Sequence, residues 1–171
     1  MHWLVTGISG CGKSRIMKQV IIPNWRRQGV KVAVLDPLQA PDWNADFQEH
    51  DPDRFMDRVE QSRRIVVVID EFGRFTRDYK AFARLEWCAT IARNRSILSY
   101  FLAQRVMQVH PNVRDQCSNA LLFRQTARDL EEIGMLLNEP RCSEAAGFEK
   151  GLCLMVKANE NPVKIRVFHP I

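Results

Sequence analysis

Apolar runs and amphipathic stretches take turns along the first three quarters of the chain. Ile65-Val66-Val67-Val68-Ile69 is apolar without a break, and consecutive β-branched residues of this kind predict a strand covered on both faces. Ile97–Ala103, interrupted only by Ser99, reads as another buried strand, and Trp3–Thr6, Lys31–Leu35 and Ala120–Phe123 as shorter ones. Helical spacing fills the intervals. Lys13–Gln28 carries Ile16, Met17, Val20 and Ile21 on one face, with Pro23 expected to kink or end it early. Further helices are expected over Pro52–Ser62, Tyr79–Arg93 and about Ala127–Leu137. Asp36–Asp51, polar around Trp43 and broken by Pro37 and Pro41, reads as a surface loop. Leu152–Lys157 and Val163–Phe168 flank Ala-Asn-Glu-Asn-Pro, which predicts a closing antiparallel hairpin. Strands alternating with helices predict an α/β fold: a mostly parallel central sheet flanked by helices, with a C-terminal β-hairpin.

Composition bounds this picture. The 171 residues suit one domain, 1–171, and 46% apolar with 26% charged residues is the mix of a globular protein. Disordered, collagen-like and coiled-coil classes are excluded. Five widely spaced cysteines without a Cys-x-x-Cys pair indicate neither a disulfide framework nor a zinc ribbon, so a reducing compartment is expected. No signal peptide or membrane span is read, which makes the cytoplasm the expected location. The net charge of +5 permits a polyanionic partner without requiring one.

The chemistry starts at Gly7-Ile8-Ser9-Gly10-Cys11-Gly12-Lys13-Ser14, a full match to G-x-x-x-x-G-K-[ST] between a predicted strand and a predicted helix. Such a loop turns successive N–H groups inward around phosphate oxygens at a helix N-terminus. Lys13 is expected to reach the β- and γ-phosphates of ATP, and the Ser14 hydroxyl to ligate Mg²⁺. Cys11 is read as a small filler of the loop rather than a reactive thiol.

Ile65–Ile69 runs straight into Asp70-Glu71. Asp70 is placed to hold Mg²⁺, and Glu71 to polarise an attacking water as general base. A small-molecule kinase has no use for that water, and the Asn-Lys-x-Asp guanine reader of GTPases is missing from the sequence. Gln104, at the end of the Ile97–Ala103 run, has an amide that both donates and accepts, so it suits linking water to γ-phosphate.

These motifs, together with Ala92–Arg95, Leu98–Arg105, Val109–Asn119, Ala120–Arg124, Thr126–Leu130 and the closing Gly151–Val156 and Val163–Val167, resemble the FtsK–HerA superfamily of DNA-pumping ATPases. The resemblance spans nearly the whole chain and is specific in the phosphate loop and the Asp-Glu pair. It implies a RecA-like (ASCE) P-loop NTPase in which an added strand, ending in the sensor Gln104, lies between the loop strand and the acidic strand. At this size the chain is similar to viral genome-packaging ATPases. By that likeness it would be an ATP hydrolase that pumps DNA, double-stranded, into a capsid as a ring of five or six copies. Its other partner would be a capsid or portal-vertex protein, and its place the host cytoplasm or the packaging vertex. Such rings borrow an arginine from a neighbouring subunit. Arg124 and Arg128, expected at the far edge of the sheet, are the candidates. From Phe72 to Arg95 six basic residues (Arg74, Arg77, Lys80, Arg84, Arg93, Arg95) face two acidic ones, so this stretch either meets DNA phosphates or forms a solvated helix face. Two alternatives stay open: a filamentous-phage assembly ATPase of the zonula-occludens-toxin type, and a nucleotide-gated scaffold without turnover.

Overall fold

A computed structural model describes residues 2–168. Eight strands form one sheet: β1 (His2–Thr6), β2 (Lys31–Leu35), β3 (Phe47–Glu49), β4 (Ile65–Ile69), β5 (Leu98–Ala103), β6 (Cys117–Leu122), β7 (Leu152–Val156) and β8 (Val163–Arg166). Their order is β3-β2-β4-β5-β1-β6-β7-β8. The first six are parallel, and β7 and β8 add an antiparallel margin beside β6. β5 separates the loop strand β1 from the acidic strand β4, the added-strand arrangement expected from Asp70-Glu71. With Val5 opposite Leu102 and Ile69 opposite Phe101, the carboxyl ends of β1, β4 and β5 meet at one rim of the sheet. Ligands of open α/β sheets bind at that rim.

Period-two alternation sorts the strands into two cores. Leu4, Val67, Ile69, Phe101 and Ala103 face one side, with Phe55, Phe72, Leu85 and Leu130. Val5, Val66, Val68, Tyr100 and Leu102 face the other, with Ile16, Met17, Ile22 and Trp43. The first core is covered by α3 (Pro52–Val59), α4 (Tyr79–Thr90), α5 (Pro111–Arg114) and α6 (Ala127–Leu137), with a 3₁₀ turn at Ala92–Arg95. The second is covered by α1 (Lys13–Ile16) and α2 (Ile22–Arg27), joined through a π-helical turn at Met17–Ile21.

Three expectations change. Pro23 does not end the helix: a wider π turn, Met17–Ile21, precedes it, and the chain stays helical through Arg27. The 36–51 segment is not merely a surface loop. Asp36, fully buried, accepts from Leu38 N (2.9 Å), Ala40 N (2.7 Å) and Trp43 Nε1 (2.8 Å), drawing Trp43 into the core. Phe47–Glu49 then pairs with β2 as an edge strand. β6 begins at Cys117, earlier than Ala120, because Cys117 and Asn119 pair with His2 and Trp3. Other boundaries shift by a few residues: α3 stops at Val59, α4 at Thr90, and the hairpin strands at Val156 and Arg166.

His2 sits at the base of β1, 2% exposed, its Nδ1 accepting from Ser99 N at 3.1 Å. Burial above all pushes its pKa down to about 4 from 6.5. A His whose folded pKa is lowered contributes stability that is complete above the unfolded value and is lost as pH falls toward the folded one. The window is therefore pH 6.5 to 4, and the full effect is about 3 kcal/mol. Asp70, with its pKa raised, works in the opposite direction, so a comparison of chains isolates His2. The stability gap between wild type and His2→Gln, measured by urea unfolding without divalent metal, is expected to shift against wild type between pH 7.5 and 4. A pH-independent gap would refute this account.

Candidate functional site

The phosphate loop is fastened at both ends. Ile8 N donates to Arg124 O (2.9 Å) beside β6, and Ile16 N to Gly12 O (2.9 Å) as the helix begins. Gly12 has φ of +122°, and a Cβ there would lie 2.9 Å from the Phe168 ring. Only glycine fits. Lys13 is 6% exposed, and its ammonium donates to Gly7 O (2.7 Å) and Ile8 O (3.2 Å), which fixes a cation inside the loop. Cys11 is buried, and burial raises its thiol pKa. It fills the loop and is poorly suited to act as a thiolate.

Across the rim, Ser14 Oγ donates to Asp70 Oδ2 at 3.0 Å, while Asp70 Oδ1 accepts from Glu71 N at 2.9 Å. Asp70 is 5% exposed. Burial, with smaller contributions from the Glu71 and Asp36 charges, raises its pKa to about 6. A hydroxyl and a carboxylate this close are the hard oxygen donors that suit Mg²⁺, which keeps several waters and takes few protein ligands beside substrate phosphates. Among the described residues no group of three or more His, Cys, Asp or Glu side chains is arranged to hold a metal. The Ser14 hydroxyl and the Asp70 carboxylate are the residues that could hold such an ion.

Glu71 leaves β4 in the left-handed region (φ 48°, ψ 40°). A non-glycine residue there carries strain of order 1 kcal/mol, and such outliers cluster at functional sites. Its carboxylate receives the Gln104 amide at 3.2 and 3.5 Å. Gln104 is steadied by its neighbour: Arg105 Nε donates to the buried Asp129 (3.1 Å), which also accepts from Thr126 Oγ1 (2.6 Å). A cleft of about 340 Å³ runs from Ser9, Gly10 and Gly12 past Lys13 and Ser14 to Glu71, with Arg15, Lys150 and Phe168 along its wall. A second cleft, about 620 Å³, is lined by Glu71, Gln104, Arg74, Arg77 and Gln108. Glu71 lines both.

The chain shares its fold with solved P-loop ATPases. No protein-family profile matches it, and no curated protein matches its sequence. Among solved structures it is similar to B204, the DNA-packaging ATPase of Sulfolobus turreted icosahedral virus, with TM-score 0.77 at 14% identity over 98% of both chains. The genome-packaging NTPase B204 of Sulfolobus turreted icosahedral virus 2, in complex with AMPPCP, gives 0.76 at 16% over 95% of this chain and 94% of that one. VirB4 of Thermoanaerobacter pseudethanolicus gives 0.71 at 12% identity, over 99% and 89%.

Lys13, Ser14, Asp70, Glu71 and Gln104 thus converge at the rim. Arg124 and Arg128 do not sit as expected. β6 lies between β1 and β7 rather than at the sheet's far edge, so Arg124 stands beside its own phosphate loop, and both side chains are exposed. Two of the six basic residues of Phe72–Arg95 are paired with carboxylates, and a third bonds a backbone carbonyl. Arg84 bonds Asp53 (3.1 Å), Asp57 (3.0 Å) and Glu60 (3.3 Å), Lys80 pairs with Asp53, and Arg95 bonds Glu60 O. Arg74 and Arg77 form no ion pair among the described residues and line the second cleft. Sequence reading missed Arg15, Lys150 and Phe168; nothing local in the chain ties the last two to a loop so far upstream.

Calorimetry with ATP is expected to show about ten- to hundredfold weaker binding by Lys13→Ala, the loss of charge-assisted bonds. Glu71→Gln should bind ATP like wild type and lose turnover by ~10²–10⁴. Equal ATP binding by Lys13→Ala and wild type would contradict the site.

Proposed function

We propose that the protein is an ATP hydrolase that drives double-stranded viral DNA into a capsid as a ring of five or six copies. The observation that carries the hydrolytic part is the juxtaposition of Glu71 with Gln104 at the mouth of a phosphate loop. In this reading Lys13 holds the β- and γ-phosphates and Glu71 orients a water and takes its proton. Gln104 keeps the carboxylate aimed and contacts the γ-phosphate side. Ser14 and Asp70 would hold Mg²⁺, which when bound neutralises phosphate charge. The αL turn at Glu71 directs the base away from the strand axis, so its strain serves a position rather than a packing need.

The packaging part draws support from a fold shared end to end with a DNA-packaging ATPase of similar length. Arg74 and Arg77, uncommitted to carboxylates and one short turn beyond Glu71, are the natural contacts for a phosphodiester backbone, read without sequence preference. Contact there would act next to the catalytic base. Arg124 and Arg128 remain the proposed donors of a trans arginine: their side chains face solvent, where a neighbouring copy would sit. The capsid or portal vertex is the proposed docking partner, and the host cytoplasm the place of assembly. Among the described residues no helix is long and apolar enough to cross a membrane.

ATPase rate, measured at concentrations where the chain assembles, is expected to rise several-fold with double-stranded DNA and to lose that rise in Arg74→Ala/Arg77→Ala. Absence of stimulation in every oligomeric state would overturn the motor reading. Mixing Arg124→Ala or Arg128→Ala subunits with Glu71→Gln subunits should restore turnover above either alone, because a trans arginine is worth ~10³–10⁵ in rate. Failure of both mixtures would remove these arginines from the mechanism.

A further inference from the structure

The cleft at the phosphate loop has an aromatic wall that phosphate chemistry does not require. Phe168 follows β8, and its backbone is tied down: Val167 N donates to Gly151 O (2.7 Å), and Gly151 N donates to Cys11 O within the phosphate loop (3.1 Å). Its ring lies so near Gly12 that no side chain fits between them. Arg15, in the first turn after Lys13, lays its guanidinium over that ring at 4.2 Å from the centroid, and its Nε is held by Gln19 Oε1 at 3.0 Å. Arg15 is exposed and has no carboxylate partner among the described residues. The outcome is a planar cation fixed at its edge and backed by an aromatic ring. Both line the same cleft as Lys13 and Ser14.

We propose that Phe168 and Arg15 form the platform on which the nucleobase of the bound nucleotide stacks. The inference rests on the phosphate-loop reading and adds where the other end of the substrate goes. A guanidinium is flat, weakly hydrated and able to stack on π-faces, whereas an ammonium offers no plane. Phe168 beneath it holds the plane in place, so the base meets a surface already ordered. The platform recognises a face rather than an edge. It therefore favours any nucleotide over a bare phosphate chain and prefers purines to pyrimidines only through stacking area.

The test is calorimetric titration with two probes, ATP and inorganic tripolyphosphate, each with Mg²⁺. Wild type should bind ATP more tightly than tripolyphosphate. Base stacking on a side chain is worth roughly five- to a hundredfold in affinity, so Phe168→Ala and Arg15→Lys should each lose about that factor for ATP and leave tripolyphosphate unchanged. Phe168→Trp should retain ATP affinity. Arg15→Lys alters only an exposed side chain and keeps its charge, so it reports even where Phe168→Ala disturbs the loop. An unchanged ratio of the two affinities in both variants would overturn the platform, as would equal losses for both probes, the mark of a merely structural prop. Wild type binding neither probe would instead overturn the phosphate-loop reading on which the platform stands.

Discussion

The site depends on one short bridge, the Asp70 carboxylate held between Ser14 Oγ and Glu71 N. It fastens the loop after β1 to the end of β4 although β5 lies between them, so it spans the strand that delivers Gln104. Burial makes the bridge costly for an ionised acid, which is why the Asp70 pKa rises to about 6 even with two hydrogen bonds opposing the rise. A divalent cation would reverse that balance, since its charge favours the carboxylate. The same atoms that close the rim are thus those whose electrostatics call for a cation.

How much of this could be read from the chain follows from how local each signal is. β4 and β5 are covered on both faces, so their runs of Val, Ile, Leu and aromatic residues stand out, and the site residues next to their ends come with them. β3 left no such mark: it has three residues, sits at an edge, and contributes Phe47 to α3 while Gln48 faces solvent. Trp43 was legible as an apolar residue in a polar stretch, but its burial is arranged by Asp36, a side-chain capping pattern invisible to periodicity. The helix through Pro23 survives because a π turn absorbs the misfit, and nothing in residue spacing announces a π turn. Strand order is the deepest gap. β6 comes last among the parallel strands in sequence, which suggests an edge, yet it pairs with β1 and brings Arg124 to the loop of its own subunit.

Charge teaches the same lesson. Counted along the chain, Phe72–Arg95 is strongly basic, but α4 packs beside α3, whose Asp53, Asp57 and the following Glu60 surround Arg84. A charge pattern becomes a field only after neighbours in space are subtracted. Among the arginines left without a carboxylate partner are Arg74 and Arg77 at the cleft beside Glu71 and Arg15 at the cleft of the phosphate loop.

The antiparallel margin of the sheet can be understood in these terms. Five parallel strands, β2, β4, β5, β1 and β6, already carry the phosphate loop, Asp70, Glu71 and Gln104, and β7 and β8 bring no side chain to that group. They do carry the chain back to the loop: Gly151, just before β7, bonds Cys11, and the residues after β8 lie against Gly12. Phe168 and Phe123 are the two rings against Gly12, so the hairpin supplies one of the two aromatic contacts at the loop's positive-φ turn. Closing the hairpin over the loop therefore stiffens a glycine-rich turn that has little side-chain packing of its own. It also places an aromatic ring on the wall of the cleft that Lys13 and Ser14 line. One chain segment thus both braces the loop and lines its cleft, which ties the outer margin of the sheet to its centre.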